Sequence, residues 1–235
     1  MNSFQPATNT LLHTEVINDI IAAIVSGDLK PGDRVIEQYI AQQMKISRSP
    51  VREAIRELVA QGILQFEPRK GAYVSPMIPS EIKSTYLLRS RLEGLAARLA
   101  TEYLTKDDLN TLGTHTQEMV EASQINNAMS FVENDIKFHD FITTHCNHSR
   151  LIKMIEGVRI QTRLYMVMSK EYLVANSQLN RESNAHQPIL EAFRQHDCDL
   201  VEQRVQEHIL AAGEIMLESI LSHGKEIAVA KKEIQ

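Results

Sequence analysis

The sequence contains little cysteine, glycine, proline or aromatic residue: its 235 residues include two Cys, nine Gly and seven Pro, and 5% are aromatic. The two cysteines, Cys146 and Cys198, are too few for a disulfide framework and are typical of a reducing compartment. No run approaches the ~20 apolar residues that span a bilayer, and residues 1–10 lack the basic and apolar regions of a signal peptide. We therefore expect a cytoplasmic protein with no membrane partner.

Hydrophobic residues make up 43% of the chain and recur mostly at helical spacing, so a mainly α protein is expected. The pattern argues for two domains, with strands only in the first third. Two prolines within residues 75–80 exclude a continuous helix there and indicate a short, stiff linker. The predicted boundaries are 1–75 for the first domain, 76–80 for the linker and 81–235 for the second domain.

The net charge of −5 would by itself argue against a nucleic-acid binder, but the charges are unevenly distributed. Residues 1–75 hold eight basic and eight acidic side chains, and residues 45–56 hold four basic side chains against Glu53 alone. The rest of the chain holds 17 basic and 22 acidic residues and carries the whole excess. DNA contact is therefore expected only from the first domain.

Residues 46–58 predict a short amphipathic helix. We expect Ser49 to cap it and Pro50 to take the first helical position, where no backbone N–H is needed. Its apolar face carries Val51, Ile55 and Leu58, and its cationic face carries Arg52 and Arg56. A second short helix over 37–44, joined by the turn 45–48, completes a helix-turn-helix, in which the later helix enters the major groove of DNA.

Residues 63–66 and 72–74 predict two strands joined by a basic turn over 67–71, with a small third strand at 34–36. Together with the motif 47–55, these segments resemble the winged helix-turn-helix of GntR-family transcription regulators. The resemblance implies a homodimer that binds a near-palindromic operator in double-stranded DNA. It also implies DNA contacts from one set of residues: Arg34, Ser47, Arg48, Ser49, Arg52, Arg69, Lys70 and Gly71.

The second domain is predicted to be an all-helical bundle of about six helices. Their approximate ranges are 80–103, 107–123, 128–145, 149–174, 184–196 and 199–222. Pro188 is compatible with the fifth helix only because it falls in the first turn.

Asp135 and His139 lie four residues apart, on one face of the third of these helices and within reach of one ion. If the last two helices turn near Asp197, His186 lies 11 residues before the turn and His208 lies 11 after it. Both are then roughly 16 Å from the turn, at 1.5 Å per residue, and can face each other. Three imidazoles and one carboxylate suit Zn²⁺, Ni²⁺, Mn²⁺ or Fe²⁺.

This set also resembles the ligand-sensing FCD domain of the FadR subfamily. The resemblance implies metal ligation by Asp135, His139, His186 and His208, with Zn²⁺ the ion expected in the isolated protein. It further implies that Arg89 receives the carboxylate of a small effector, a role that suits a guanidinium fork. The alternative is that Arg89 only forms a surface pair with Glu93, four residues on.

The function expected is that of a transcription regulator, either a repressor or an activator, whose operator affinity changes when a small carboxylate binds at the metal. No general base is evident beside the proposed ligands, so we do not expect an enzyme. A metal-dependent oxygenase or hydrolase, and a sensor of metal alone, remain the alternatives.

Overall fold

The computed structural model describes residues 10–233, and its side chains over 12–170 and 172–222. Residues 1–9, which entered the signal-peptide argument, lie outside this range. The chain divides into two units between Pro76 and Met77. The elements of the first unit are α1 (Thr10–Ser26), β1 (Arg34–Val35), α2 (Glu37–Met44), α3 (Arg48–Ala60), β2 (Leu64–Glu67) and β3 (Gly71–Val74).

The three strands form one antiparallel sheet in the order β1-β3-β2. Arg34 is opposite Tyr73, and Leu64 is opposite Val74. Helix α3 packs against α1, α2 and β2. Its apolar face is buried as the spacing predicts, with Val51 and Leu58 both 0% exposed. A helix-turn-helix followed by a two-stranded wing is thus built around a small apolar core.

The predicted start of α3 was wrong. The helix begins at Arg48, its N-cap residue is Ser47, and the Ser47 side chain makes no capping hydrogen bond. Ser49 therefore lies in the first turn, and Pro50 occupies the third helical position. Proline is still tolerated there because the first four N–H groups of a helix have no intrahelical partner.

The second unit is all-helical. Its elements are α4 (Pro79–Ala100), α5 (Lys106–Gln124), α6 (Ala128–Thr144), α7 (Ser149–Met168), α8 (Lys170–Ala175), α9 (Gln178–Ala185), α10 (Gln187–Gln195) and α11 (Cys198–Glu233). Helices α4 and α11 pack along much of their length. Within residues 10–233, no helix combines the length and apolar composition needed to cross a membrane.

Two of the six predicted helices are each divided in the structure. The fourth is interrupted at Ser169, and the fifth begins earlier than expected, at Gln178, and breaks at His186. The second break follows from Pro188, which has no N–H to donate to the carbonyl of Asn184 and whose ring crowds that carbonyl. His186 consequently ends α9 and precedes α10.

Candidate functional site

The four residues predicted to bind metal converge inside the second unit. Asp135 and His139 lie on α6, His186 lies at the junction of α9 and α10, and His208 lies on α11. All four side chains are buried, and one ligand atom from each lies within 4.8 Å of those from the others. The ring centroids of His186 and His208 lie 4.3 Å apart, and the two ring planes are tilted by 60°.

The distances between these atoms suit a shared cation. His139 Nε2 lies 3.2 Å from His208 Nε2, and His186 Nε2 lies 3.1 Å from Asp135 Oδ1. His139 Nε2 lies 4.0 Å from the same carboxylate oxygen. Ligand atoms bound at about 2.1 Å to one ion are separated by roughly 3.0–3.4 Å in octahedral or tetrahedral arrangements.

The outer nitrogen of two imidazoles is held by the surrounding protein. His186 Nδ1 lies 2.9 Å from the carbonyl oxygen of Glu182, and His139 Nδ1 lies 2.8 Å from Glu93 Oε2. An Nδ1–H of His186 directed at the Glu182 carbonyl leaves its Nε2 as a free lone pair, which is the form that a metal requires. Glu93 Oε2 lies close to His139 Nδ1 but forms no aligned hydrogen bond with it. His208 Nδ1 is buried without a hydrogen-bond partner.

Glu93 lies beside the predicted metal ligands, a position that local sequence spacing did not indicate. Its Oε1 accepts a hydrogen bond from Arg89 Nε at 2.7 Å, while Oε2 faces His139. The i,i+4 spacing indicated the contact with Arg89, but the pair is not on the surface: Arg89 is 6% and Glu93 3% exposed. The contact with His139 joins α4 to α6, and no local spacing indicates it.

The buried carboxylates stay ionised despite their burial. Burial opposes the ionisation of Asp135, but its close contact with His186, with His139 and Arg89 nearby, holds the pKa of its carboxyl below the usual range. Burial also opposes the ionisation of Glu93, whose pKa is nevertheless lowered to about 2 by Arg89 and His139. Burial would lower the pKa of Arg89, yet Glu93 and Asp135 raise it.

The remaining groups favour a neutral form. Burial, with His186 and His139 beside it, lowers the pKa of His208 well below its ordinary value, so its imidazole is neutral and able to bind a metal. Burial raises the pKa of the Glu182 carboxyl to about 7. Arg89, Asp135 and Glu93 together carry a charge of −1, which a divalent cation would convert to +1. The donor set therefore fits such an ion, and the loaded centre would attract an anion.

Two small cavities flank Arg89 and Asp135, each with a volume of about 10 Å³. That volume holds about one water molecule. The first is lined by His139, Asp140 and residues of α7, including Arg159 and Arg163. The second is lined by Tyr86, Glu182, His208 and several apolar side chains.

The residues predicted to contact DNA lie on the first unit. Gly71 is half-buried, and the other seven are exposed: Arg34, Ser47, Arg48, Ser49, Arg52, Arg69 and Lys70. The Arg52 guanidinium pairs with Glu37 through two hydrogen bonds, of 3.1 and 2.8 Å, that join α3 to α2. The wing turn contains Arg69 at a φ of 71°, and Lys70 Nζ lies 2.6 Å from Glu67 Oε2. The sequence analysis did not identify Glu37, because its partner lies on another helix.

Comparison with known proteins defines the class of protein. Residues 12–74 match the family of bacterial regulatory proteins called the gntR family, and residues 84–211 match the FCD domain. The chain therefore belongs to the GntR family of DNA-binding transcription regulators and carries an FCD domain. The family resemblance and the predicted fold class are confirmed.

Relatives of this chain are themselves regulators. The "Probable D-xylose utilization operon transcriptional repressor" of Paenarthrobacter nicotinovorans is 28% identical over 204 residues, which cover 87% of this chain and 88% of the relative. The "HTH-type transcriptional regulator McbR" of Escherichia coli is 30% identical over 160 residues, 66% of this chain and 72% of McbR. A solved structure of E. coli McbR covers 89% of this chain and 98% of its own, with 25% identity and a TM-score of 0.72.

Proposed function

We propose that this regulator binds a near-palindromic operator as a homodimer and that a small carboxylate, bound at a divalent metal, changes its affinity for DNA. Residues 1–75 form the DNA-binding domain, 76–80 the linker and 81–235 the metal and effector domain. The protein acts as a repressor, as the P. nicotinovorans relative is described, and works in the cytoplasm, where its DNA target lies.

The convergence of three imidazoles and one carboxylate supports the metal. Asp135, His139, His186 and His208 would hold the ion, and Zn²⁺, Ni²⁺, Mn²⁺ and Fe²⁺ all accept this donor set, with Zn²⁺ expected in the isolated protein. A bound ion would polarise and hold a carboxylate oxygen at an open position. The protein orients the imidazoles through Glu182 and Glu93, as metal-binding histidines require.

Arg89 is proposed to contact the effector. Its Nε is committed to Glu93, and its side chain lines both cavities beside the metal ligands. A guanidinium has further N–H donors beyond Nε, and these suit a carboxylate. Arg89 therefore assists the ion in binding the anion without ligating the ion itself.

The exposed basic residues of α3 and the wing support the DNA interface. Residues at the start of α3 are proposed to meet base edges, and Lys70 is proposed to contact phosphate. The hydrogen bonds with Glu37 position the Arg52 side chain in the DNA-free protein. An effector shifts operator affinity only through its different affinity for the two forms of the protein.

A second candidate is a sensor of metal alone. The two cavities beside the ligands each hold only about 10 Å³, and this volume favours an ion with water as its further ligand. In that case metal changes operator affinity and no carboxylate changes it further.

Substitution of the histidine ligands tests the proposal. We expect His186→Ala and His208→Ala to lower metal content at least about 10-fold and to abolish the carboxylate response, while the metal-free proteins still bind DNA. Elemental analysis measures the metal, and fluorescence anisotropy measures binding to an operator selected by the protein from random DNA. His115→Ala, a half-buried histidine on α5, is the control and should retain both. Full metal occupancy in either ligand variant would refute the four-residue site.

A further inference from the structure

Arg159, on α7, is a half-buried cationic group that the proposed metal and effector contacts do not use. Its Nε and Nη2 atoms are buried and have no hydrogen-bond partner. Nε lies 2.7 Å from Asp140 Oδ1, but that oxygen also has no aligned hydrogen bond. Nε is thus ion-paired without an aligned hydrogen bond, and Nη2 has no acceptor. Charged donors without acceptors are costly in a protein interior, so an arrangement that supplies both atoms with a carboxylate is favoured.

This guanidinium lines the same cavity as the metal ligands. The charged side chains around that cavity are three arginines and three carboxylates: Arg89, Arg159, Arg163, Glu93, Asp135 and Asp140. Their charges cancel, so a divalent cation at the centre would leave a charge of +2. A monocarboxylate would neutralise half of this charge, whereas a dianion would neutralise all of it.

The outer wall of the cavity is the part that lies nearest to solvent. Arg163 is exposed, and the Arg159 side chain is 21% exposed, whereas Arg89 and Asp135 are buried. The cavity holds only about 10 Å³, so an entering ligand must displace side chains. The long side chains of Arg159 and Arg163 at the wall are the ones most easily displaced. A ligand carboxylate can then replace Asp140 as the partner of Arg159.

We propose that the effector is a small dicarboxylate: one carboxylate binds at the metal and Arg89, and the second binds Arg159. This inference rests on the proposed function, and it identifies Arg159 as the residue that distinguishes dicarboxylates from monocarboxylates. A single phosphate group carries its two charges on one centre, so it cannot bind the metal and Arg89 at one end and Arg159 at the other as a dicarboxylate would.

Calorimetric titration of the zinc-loaded, full-length protein tests the proposal. The probes are two pairs of equal chain length, succinate with butyrate and glutarate with pentanoate, together with inorganic phosphate. At least one dicarboxylate should bind about 10–100-fold more tightly than its monocarboxylate partner, as expected for an additional charged hydrogen-bonded pair.

Arg159→Gln should remove that preference, leave monocarboxylate affinity within about threefold and leave zinc content unchanged. Arg150→Gln, an exposed arginine on the same helix, is the control and should retain the preference.

The outcomes separate this inference from the function on which it rests. If monocarboxylates bind only to zinc-loaded protein and dicarboxylates bind no better, the proposed function stands and the dicarboxylate inference is overturned. The dicarboxylate inference is also overturned if phosphate binds as tightly as the better dicarboxylate. It is overturned as well if Arg159→Gln lowers the affinities for dicarboxylates and monocarboxylates equally. If no carboxylate binds the zinc-loaded protein, both proposals fail.

Discussion

At the scale of single residues, Glu93 connects the proposed metal centre to the proposed effector contact. One oxygen accepts from Arg89 Nε, and the other lies 2.8 Å from His139 Nδ1. The same carboxylate therefore contacts both an imidazole of the candidate site and the arginine. An amide at this position could still donate or accept hydrogen bonds, but it would lack the charge that pairs with Arg89 and lies beside His139.

We expect Glu93→Gln to weaken metal binding about 10–100-fold, as is typical when the partner of a ligating histidine is changed. Competition with a chromogenic chelator measures the affinity. Glu81→Gln, an exposed glutamate on the same helix, is the control. Unchanged metal affinity in Glu93→Gln would mean that Glu93 stabilises the fold but does not support metal binding.

At the scale of elements, the close approach of α4 and α11 depends on glycine. A Cβ on Gly213 would lie 2.8 Å from both Cβ and Cγ of Tyr86, atoms near the α4 backbone that cannot yield without moving the helix. Tyr86 is itself 2% exposed, so its side chain is enclosed by the protein. His208 lies on α11 five residues before Gly213, so this packing also positions one proposed ligand.

We expect Gly213→Ala to destabilise the second unit by about 1–3 kcal/mol through overpacking. Gly157→Ala is a matched control, because Gly157 lies within helix α7 and a Cβ there meets nothing within 4 Å. Alanine at that position should be neutral or stabilising by up to about 1 kcal/mol through helix propensity. Urea unfolding followed by helical circular dichroism measures both, and equal midpoints would contradict the packing argument.

At the scale of the whole molecule, local spacing predicted much of the fold and the main residues of the site. The pair Asp135 and His139 follows from helical periodicity, and the pairing of His186 with His208 follows from equal distances to one turn. The break at His186 was not predicted, although Pro188 indicated a helix boundary nearby. The contacts of Glu93 and Arg159 join different helices through side chains, and no single-sequence pattern specifies such contacts.

The distribution of charge across the molecule leads to a prediction about salt. Although the net charge is −5, operator affinity should fall steeply with salt because the charges at the contact, and not the total, determine how many counterions are released. The logarithm of affinity should decrease linearly with the logarithm of salt concentration, by about 0.9 per phosphate neutralised. Lys70→Ala, at the tip of the wing, should reduce that slope by about 1. Lys153→Ala, an exposed lysine on α7, should leave the slope unchanged. Anisotropy titrations at several salt concentrations measure the slopes, and a flat dependence in the unmodified protein would contradict phosphate contact by the basic surface.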